Sequence, residues 1–364
     1  MEKENHNEIS NKTLTKMMNK SIGFLTEDFI KIALSDFSSA KSIINIALKQ
    51  KSTAKIRDKY EESGFHVPPF MIASITSSCN LKCKGCYDRE KVHNCSCELN
   101  EKQWSEVFLQ AKELGISFIL LAGGEPLTKD KIIKECIKYP EIIFPMFTNG
   151  MLINEEWINF FASSRNIIPV LSIEGDREHT DKRRGEGVFE KVSLSIDLLK
   201  KRNIFYGTSI TLTSDNFESV LREDFIKSYI DKGCRLFFFI EYIPFDPSTE
   251  NLVISESQRA ELDSRLEKLR QKYKGIFLAF PGDEKAFGGC LAAGRGFVHI
   301  NAMGGIEPCP FAPYSDVNLK NMTLKEALSS PLLKEIRDLH GVLKEHKGGC
   351  ALFENRERVE KLIK

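Results

Sequence analysis

No sign of charge dominates this 364-residue chain: 52 lysines and arginines stand against 51 aspartates and glutamates, a formal net charge of +1. A protein that grips nucleic acid through a broad electrostatic face carries a basic excess. That class is set aside, although a local basic groove is not. No apolar run approaches the roughly 18 residues that a membrane-crossing helix needs. No internal repeat or low-complexity stretch stands out. Met1 to Asn7 are charged and polar, with no apolar signal region behind them, so the expected location is the cytoplasm. Wholesale disorder is excluded as well, because 41% of residues are hydrophobic and 28% charged, which is ordinary globular usage. The length is enough for a sizeable core.

What the chain does have is ten cysteines. In a reducing compartment structural disulfides are a poor explanation for so many. Metal, cluster or redox chemistry is one reading. Scattered buried thiols are the other, since free cysteine often serves as a small core hydrophobe. Spacing has to separate the two.

Residues 1–66 read as helical. Apolar residues recur at helical spacing through Phe24, Phe29, Ile30, Ile32 and Ala33, then Ile43, Ile44, Ile46 and Ala47. This segment is expected to form a helical cap, with an amphipathic membrane-surface helix as the alternative. Pro68 and Pro69 break the pattern. Candidate strands follow at 70–76, 117–122, 142–147, 168–173, 205–211 and 235–240. Candidate helices lie near 101–114, 129–138, 154–163, 188–201 and 217–232. Such alternation predicts parallel βα units and an α/β fold class. Six units fit a doubly wound sheet or a partial barrel, and in both the chemistry collects at the C-terminal strand ends. After about residue 275 glycine becomes dense, with a hairpin expected over 297–301 and 305–308 around Gly304-Gly305. Two short helices are expected near 323–328 and 331–339. The predicted division is a cap over 1–66, a partial barrel over 67–275 and a smaller module over 276–364.

Cys79, Cys83 and Cys86 form the string CNLKCKGC in the loop after the first strand. Three thiolates at this spacing can bind one centre. Structural zinc usually wants four ligands, and iron–sulfur clusters normally use four cysteines. Three would leave one iron of a [4Fe–4S] cluster without a protein ligand, which is a defect in a structural site and an opening in a catalytic one.

The string resembles the CxxxCxxC hallmark of the radical S-adenosylmethionine (radical SAM) superfamily, often followed by an aromatic, a place that Tyr87 takes. The resemblance spans about residues 70–350. It implies a partial (β/α)6 TIM-like barrel and a [4Fe–4S] cluster whose open iron is chelated by S-adenosylmethionine (SAM). Reductive cleavage of SAM would then yield a 5′-deoxyadenosyl radical that abstracts a substrate hydrogen. Gly123-Gly124-Glu125-Pro126 looks like the family's GGEP, whose glycines admit the methionine moiety and whose glutamate accepts from its ammonium. Thr148-Asn149-Gly150 follows the third strand. Ser172-Ile173-Glu174-Gly175 is similar to S-[IL]-[DE]-G and implies that Ser172 bonds the SAM carboxylate. Arg184 is the arginine implied to assist it. Read as residues alone, Lys182-Arg183-Arg184 is equally a solvated basic run.

Cys290, Cys309 and Cys350 lie in the glycine-rich module, with Gly304-x4-Cys309 inside HINAMGGIEPCPF. This is similar to the hairpin of SPASM and twitch domains, which bind auxiliary [4Fe–4S] clusters. The C-x2-C-x5-C stretch of a full SPASM domain is missing between Cys309 and Cys350. The resemblance therefore implies one auxiliary cluster, held by three cysteines, whose fourth position is open to substrate or water or is closed by a non-cysteine side chain or a more distant cysteine. Cys136 and Cys234 read as core thiols. Cys95 and Cys97 form a C-x-C that is either a pair of loop thiols or a redox or ligand pair.

Candidate barrel-lining groups are Glu241, Tyr242 and Thr211. Tyr242 is expected to hydrogen-bond substrate or donate a hydrogen atom, or else to pack with its hydroxyl satisfied. His299 reads as structural. The class implied is an oxidoreductase with a flavodoxin or ferredoxin as electron donor. Peptide modification (a maturase) leads as its activity, and modification of a cofactor precursor, tetrapyrrole or lipid is the alternative. A zinc-binding interaction protein using the same cysteines is the rival from another class.

Overall fold

The computed structural model describes residues 10–34, 40–88, 98–339 and 350–363. Two helices, α1 (Asn11–Leu34) and α2 (Ala40–Glu62), precede β1 (Phe70–Ser74). The chain then runs α3 (Glu101–Leu114), β2 (Phe118–Ala122), α4 (Asp130–Glu135), β3 (Phe144–Thr148), α5 (Glu155–Ser163), β4 (Ile167–Ile173), α6 (Arg177–Arg184), α7 (Val188–Lys201) and β5 (Gly207–Leu212). Next come α8 (Phe217–Val220), α9 (Glu223–Asp231), β6 (Leu236–Glu241), α10 (Glu256–Lys272) and β7 (Ile276–Phe280). The last elements are β8 (Phe297–Ile300), β9 (Ile306–Glu307), α11 (Leu324–Leu328), α12 (Pro331–Asp338), α13 (Ala351–Glu354) and α14 (Arg356–Glu360).

The strands form one sheet in the order β7-β6-β5-β4-β3-β2-β1-β8-β9. Pairing is parallel from β7 through to β8, and only β8 with β9 is antiparallel. The fold is therefore an α/β partial barrel. The boundary expected at residues 275 and 276 falls between α10 and β7, yet the sheet is continuous there: Leu236 pairs with Ile276 on one edge and Phe70 with Phe297 on the other. Neither α10 nor a seventh parallel strand was anticipated. The helix expected over 217–232 breaks at Leu221-Arg222 into α8 and α9. The helix expected over 129–138 tightens into a 3-10 turn at Cys136–Lys138, where Pro140 disfavours helical backbone at Tyr139.

Strand alternation splits the core in two. Met71, Ile119, Met146, Leu171, Ile210, Phe237 and Phe277 point outward and pack under the surrounding helices. Phe118, Ile143, Ile168, Val170, Leu236, Phe238 and Ile276 point inward, where they meet Ile22, Leu25, Phe29 and Ile32 of α1. The apolar stripe of α1 thus lies inside the concave face of the sheet rather than on a membrane surface. Phe24, off that stripe, is 54% exposed. Helix α2 is tied to the barrel by Arg57, only 1% exposed, which donates to Gly115 O and to Ser117 Oγ at 2.6 Å. Among the described residues no helix is long and apolar enough to cross a membrane.

Candidate active site

The loop after β1 carries Cys79, Cys83 and Cys86, none of them in a disulfide. Its shape comes from its neighbours. Gly124 N donates to Thr76 O and Glu125 N to Ser78 O, both at 2.8 Å. A Cβ on Gly123 would lie 2.2 Å from Thr76 O, and one on Gly124 2.2 Å from Ser78 O. The two glycines are therefore what lets the loop after β2 close against the cysteine loop. Lys84 N donates to Arg183 O at 2.8 Å, which ties the other end of the loop to α6. Glu98 clips its start, accepting from Ser77 N at 2.8 Å and Ser77 Oγ at 2.7 Å while pairing with Lys129 at 2.8 Å.

Glu125 is buried, and its carboxylate accepts from Leu127 N at 3.0 Å, Thr148 Oγ1 at 2.7 Å and Asn149 N at 2.8 Å. Burial pushes its pKa up against those hydrogen bonds. Asn149 in turn donates to Asn80 Oδ1 at 2.7 Å, which brings the end of β3 to the cysteine loop. Ser172 and Ser209 share a hydrogen bond of 3.0 Å between β4 and β5. Pro126 opens a 3-10 turn, Pro126–Thr128, with Glu125 as its cap.

The basic run divides. Lys182 is exposed on Asp215 at 2.8 Å. Arg183 and Arg184 turn inward and both reach Glu174 Oε1 at 2.6 Å. Glu174 Oε2 also accepts from Thr211 N at 3.1 Å. Burial works against the Arg183 charge, but Glu174, together with nearby Cys83 and Cys86, raises its pKa. Sequence reasoning named Glu174 as a motif letter and missed its part in holding both arginines.

Tyr242, at the end of β6, is buried and donates to Thr249 Oγ1 at 2.8 Å. Its hydroxyl stands 2.2 Å from where a Cβ on Gly85 would be, so it rests on the cysteine loop. Glu241 faces Arg259 of α10 at 2.8 Å, so its carboxylate is tied to the helix layer.

One cavity of about 450 Å³ joins these parts. Its walls include Cys79, Cys83, Cys86, Gly123, Gly124, Glu125, Asn149, Ser172, Arg183, Arg184 and Tyr242. Cys290, Cys309 and Cys350 line the same cavity. Pro126 does not. Tyr87, half-buried with its pKa raised well above the ordinary value by burial, lies near both Cys86 and Cys309 and stacks edge-on with Phe311. Burial also drives the thiols of Cys290 and Cys309 far up and that of Cys350 to about 11. Cys136 and Cys234 are buried in the core. Cys95 and Cys97 lie outside the described residues. His299 is fully buried between Ser74 Oγ, at 2.8 Å, and Glu307 Oε2, at 2.7 Å, and clasps β1, β8 and β9.

Thiolates are the usual ligands of iron–sulfur clusters, and each cysteine trio edges the cavity. The first trio shares the cavity wall with paired serines and two arginines, which suit a carboxylate, and with the Glu125 carboxylate, which suits an ammonium.

An α/β partial barrel with a three-cysteine loop at the mouth of its first strand defines the class. Residues 73–223 match the Radical SAM superfamily model, and the chain resembles enzymes of that superfamily. It is 22% identical over 320 residues to the AdoMet-dependent heme synthase of Methanosarcina barkeri, covering 80% of this chain and 90% of that protein. It is 28% identical over 209 residues to the serine-type anaerobic sulfatase-maturating enzyme of Bacteroides thetaiotaomicron, covering 52% of this chain and 48% of that one. The chain thus spans about half of the second relative. The crystal structure of Streptococcus suis SuiB bound to S-adenosylmethionine shares the fold, with a TM-score of 0.65 at 19% identity over 80% of this chain and 73% of that one. SAM and a [4Fe–4S] cluster are the cofactors the superfamily implies.

Proposed function

We propose that the chain is a radical SAM maturase that modifies a peptide, with one auxiliary [4Fe–4S] cluster beside the SAM-cleaving one. The observation that carries this reading is the shared cavity, whose walls hold both cysteine trios and the loops after β2, β3 and β4. Cys79, Cys83 and Cys86 would hold the first cluster, and Cys290, Cys309 and Cys350 the second. When bound, the reduced first cluster supplies the electron that breaks a carbon–sulfur bond of SAM and so generates the hydrogen-abstracting radical.

The chain's own residues bind and orient. Arg183 and Arg184, held by Glu174, present a fixed positive charge to the SAM carboxylate, and Ser172 offers a hydroxyl beside it. The Glu125 carboxylate and the turn at Gly123-Gly124 face the ammonium. Apolar walls from Phe118, Phe147 and Phe238 limit water around the radical. In this reading a cytoplasmic flavodoxin or ferredoxin delivers the electron.

The peptide assignment draws on the sulfatase-maturating relative. A second reading, action on a tetrapyrrole, is favoured by the heme synthase relative, which aligns over most of both chains. Anaerobic reconstitution tests the class: about eight irons per chain and deoxyadenosine release on reduction are expected. One tightly bound zinc with no SAM cleavage would return the chain to the zinc-binding reading. A Cys83→Ala change is expected to abolish cleavage. Cys309→Ala is expected to spare uncoupled cleavage and block product; equal loss of both would remove the two-cluster assignment. Deoxyadenosine yield with a deuterated peptide or a deuterated tetrapyrrole separates the substrates by which one passes deuterium to it.

A further inference from the structure

Three cysteines fill three of the four iron corners of an auxiliary cluster. Resting on the auxiliary-cluster reading above, the question is which group takes the fourth. The carboxylates in the cavity wall differ in what already holds them. Glu125 accepts three hydrogen bonds. Glu241 gives one oxygen to Arg259 at 2.8 Å, while its other oxygen, Oε1, is buried without a hydrogen bond. Asp283 is paired with Arg270 at 2.8 Å and accepts from Ala279 N at 2.8 Å.

Glu284 is different. It is 7% exposed and lines the cavity with Cys290, Cys309 and Cys350. Its hydrogen bond runs from Leu291 N to Oε2 at 3.4 Å, the outer limit of such a contact. The neighbouring Arg295 guanidinium turns to the backbone carbonyls of Cys290, Gly289 and Phe287 instead. Arg295 acts on it through space rather than by a hydrogen bond, and a carboxylate held this loosely is costly to bury unless a further cation joins it.

Its position is also fixed. Glu284 sits in the turn Gly282–Phe287 directly after β7. Asp283, one residue away, anchors that turn to α10 and to β7. Gly289 N donates to Glu284 O at 3.1 Å and leads the chain into Cys290. The Glu284 carboxylate lines the same cavity as all three thiols, and the Leu291 N–H it accepts from belongs to the residue next to Cys290.

We propose that Glu284 is the fourth protein ligand of the auxiliary cluster, binding one iron through a carboxylate oxygen while Cys290, Cys309 and Cys350 bind the other three. An oxygen-ligated iron is harder and more exchangeable than a thiolate-ligated one. It would face the cavity as the corner that a substrate donor atom can displace.

The test isolates this cluster in the full-length chain carrying Cys79→Ala, Cys83→Ala and Cys86→Ala. After anaerobic reconstitution, iron and sulfide are counted and Mössbauer and EPR spectra recorded. With Glu284 present, about four irons are expected, with about a quarter of the Mössbauer area in a site distinct from the rest. Adding Glu284→Gln should abolish or shift the distinct Mössbauer site, either with about three irons and the EPR signal of a three-iron cluster or with about four irons and an altered quarter of the area. Adding Glu284→Cys should restore about four irons and merge the distinct site with the others. Glu284→Gln with four irons and an unchanged spectrum overturns the proposal. Should that variant fail to fold, Glu284→Cys decides alone: a spectrum identical to that with glutamate overturns it. If the triple-alanine chain with Glu284 present binds no iron, the auxiliary-cluster reading itself falls, and this proposal with it.

Discussion

Replacing Gly124 by alanine should unseat the cysteine loop. A Cβ there would lie 2.2 Å from Ser78 O, 2.4 Å from Ser78 C and 3.0 Å from Cys79 N. All three are backbone atoms, so no side chain can swing aside. The loops must part, and the bonds from Gly124 N to Thr76 O and from Glu125 N to Ser78 O are stretched or lost. Overpacking costs about 1–3 kcal/mol, and each hydrogen bond contributes about 1 kcal/mol. The sum is about 3–5 kcal/mol, which in a chain of this size lowers Tm by about 6–10 °C at about 2 °C per kcal/mol. Because Cys79 lies next to the clash, SAM binding to the reconstituted enzyme should weaken on the order of tenfold or more, about 1.4 kcal/mol. Gly23→Ala on α1 is the control. It has no heavy atom within 4 Å and no positive φ, so helix propensity should raise stability by about 0.5–1 kcal/mol. The assay is thermal melting of the apo chain with SAM titration of the reconstituted one. Gly124→Ala melting within about 1 °C of the parent, with unchanged SAM affinity, would refute the claim that these glycines set the loop.

Glu174→Gln leaves two inward-facing arginines without their counter-charge. Breaking a buried pair in this way costs about 3–5 kcal/mol, to be read from denaturant midpoints, and a shift under 1 kcal/mol would show that the arginines find other partners. Tyr242→Phe removes the bond to Thr249 and should cost about 1 kcal/mol while lowering product per deoxyadenosine; an unchanged ratio removes Tyr242 from the substrate site. Burial alone would raise the pKa of Glu98, but Lys129 and Ser77 hold it below the ordinary glutamate range. A depressed pKa gives stability present above the unfolded value of about 4.3 and lost as pH falls through the folded one. The apo Glu98→Gln chain should therefore lose less stability than the parent on acidification below pH ~4, and parallel acid limbs in the two melting profiles would contradict this.

The repeated strand–helix alternation was legible because it is local: period-two apolar runs make strands and period-3.6 stripes make helices wherever they fall. Six of the parallel strands were found this way. The seventh, Ile276–Phe280, is just as apolar, but it stands against a glycine-rich stretch that read as a new module. The apolar stripe of α1 was equally visible, yet periodicity states only that a face is buried, not against what. That left the membrane-surface alternative open until Ile22, Leu25 and Phe29 were found inside the sheet.

By itself the sequence determined the chemistry available: cysteines spaced to share a centre, glycines at a strand end, and a near-neutral net charge. Those are properties of residues a few positions apart. Only the tertiary structure decided that both cysteine trios open on one cavity, that Lys182 is exposed on Asp215 while Arg183 and Arg184 share Glu174, and that Glu284 lines the same cavity as thiols up to 66 residues away in the chain. Such meetings are set by which strand ends the sheet brings together and by the cost of burying charge without a partner, and no spacing along the chain encodes either.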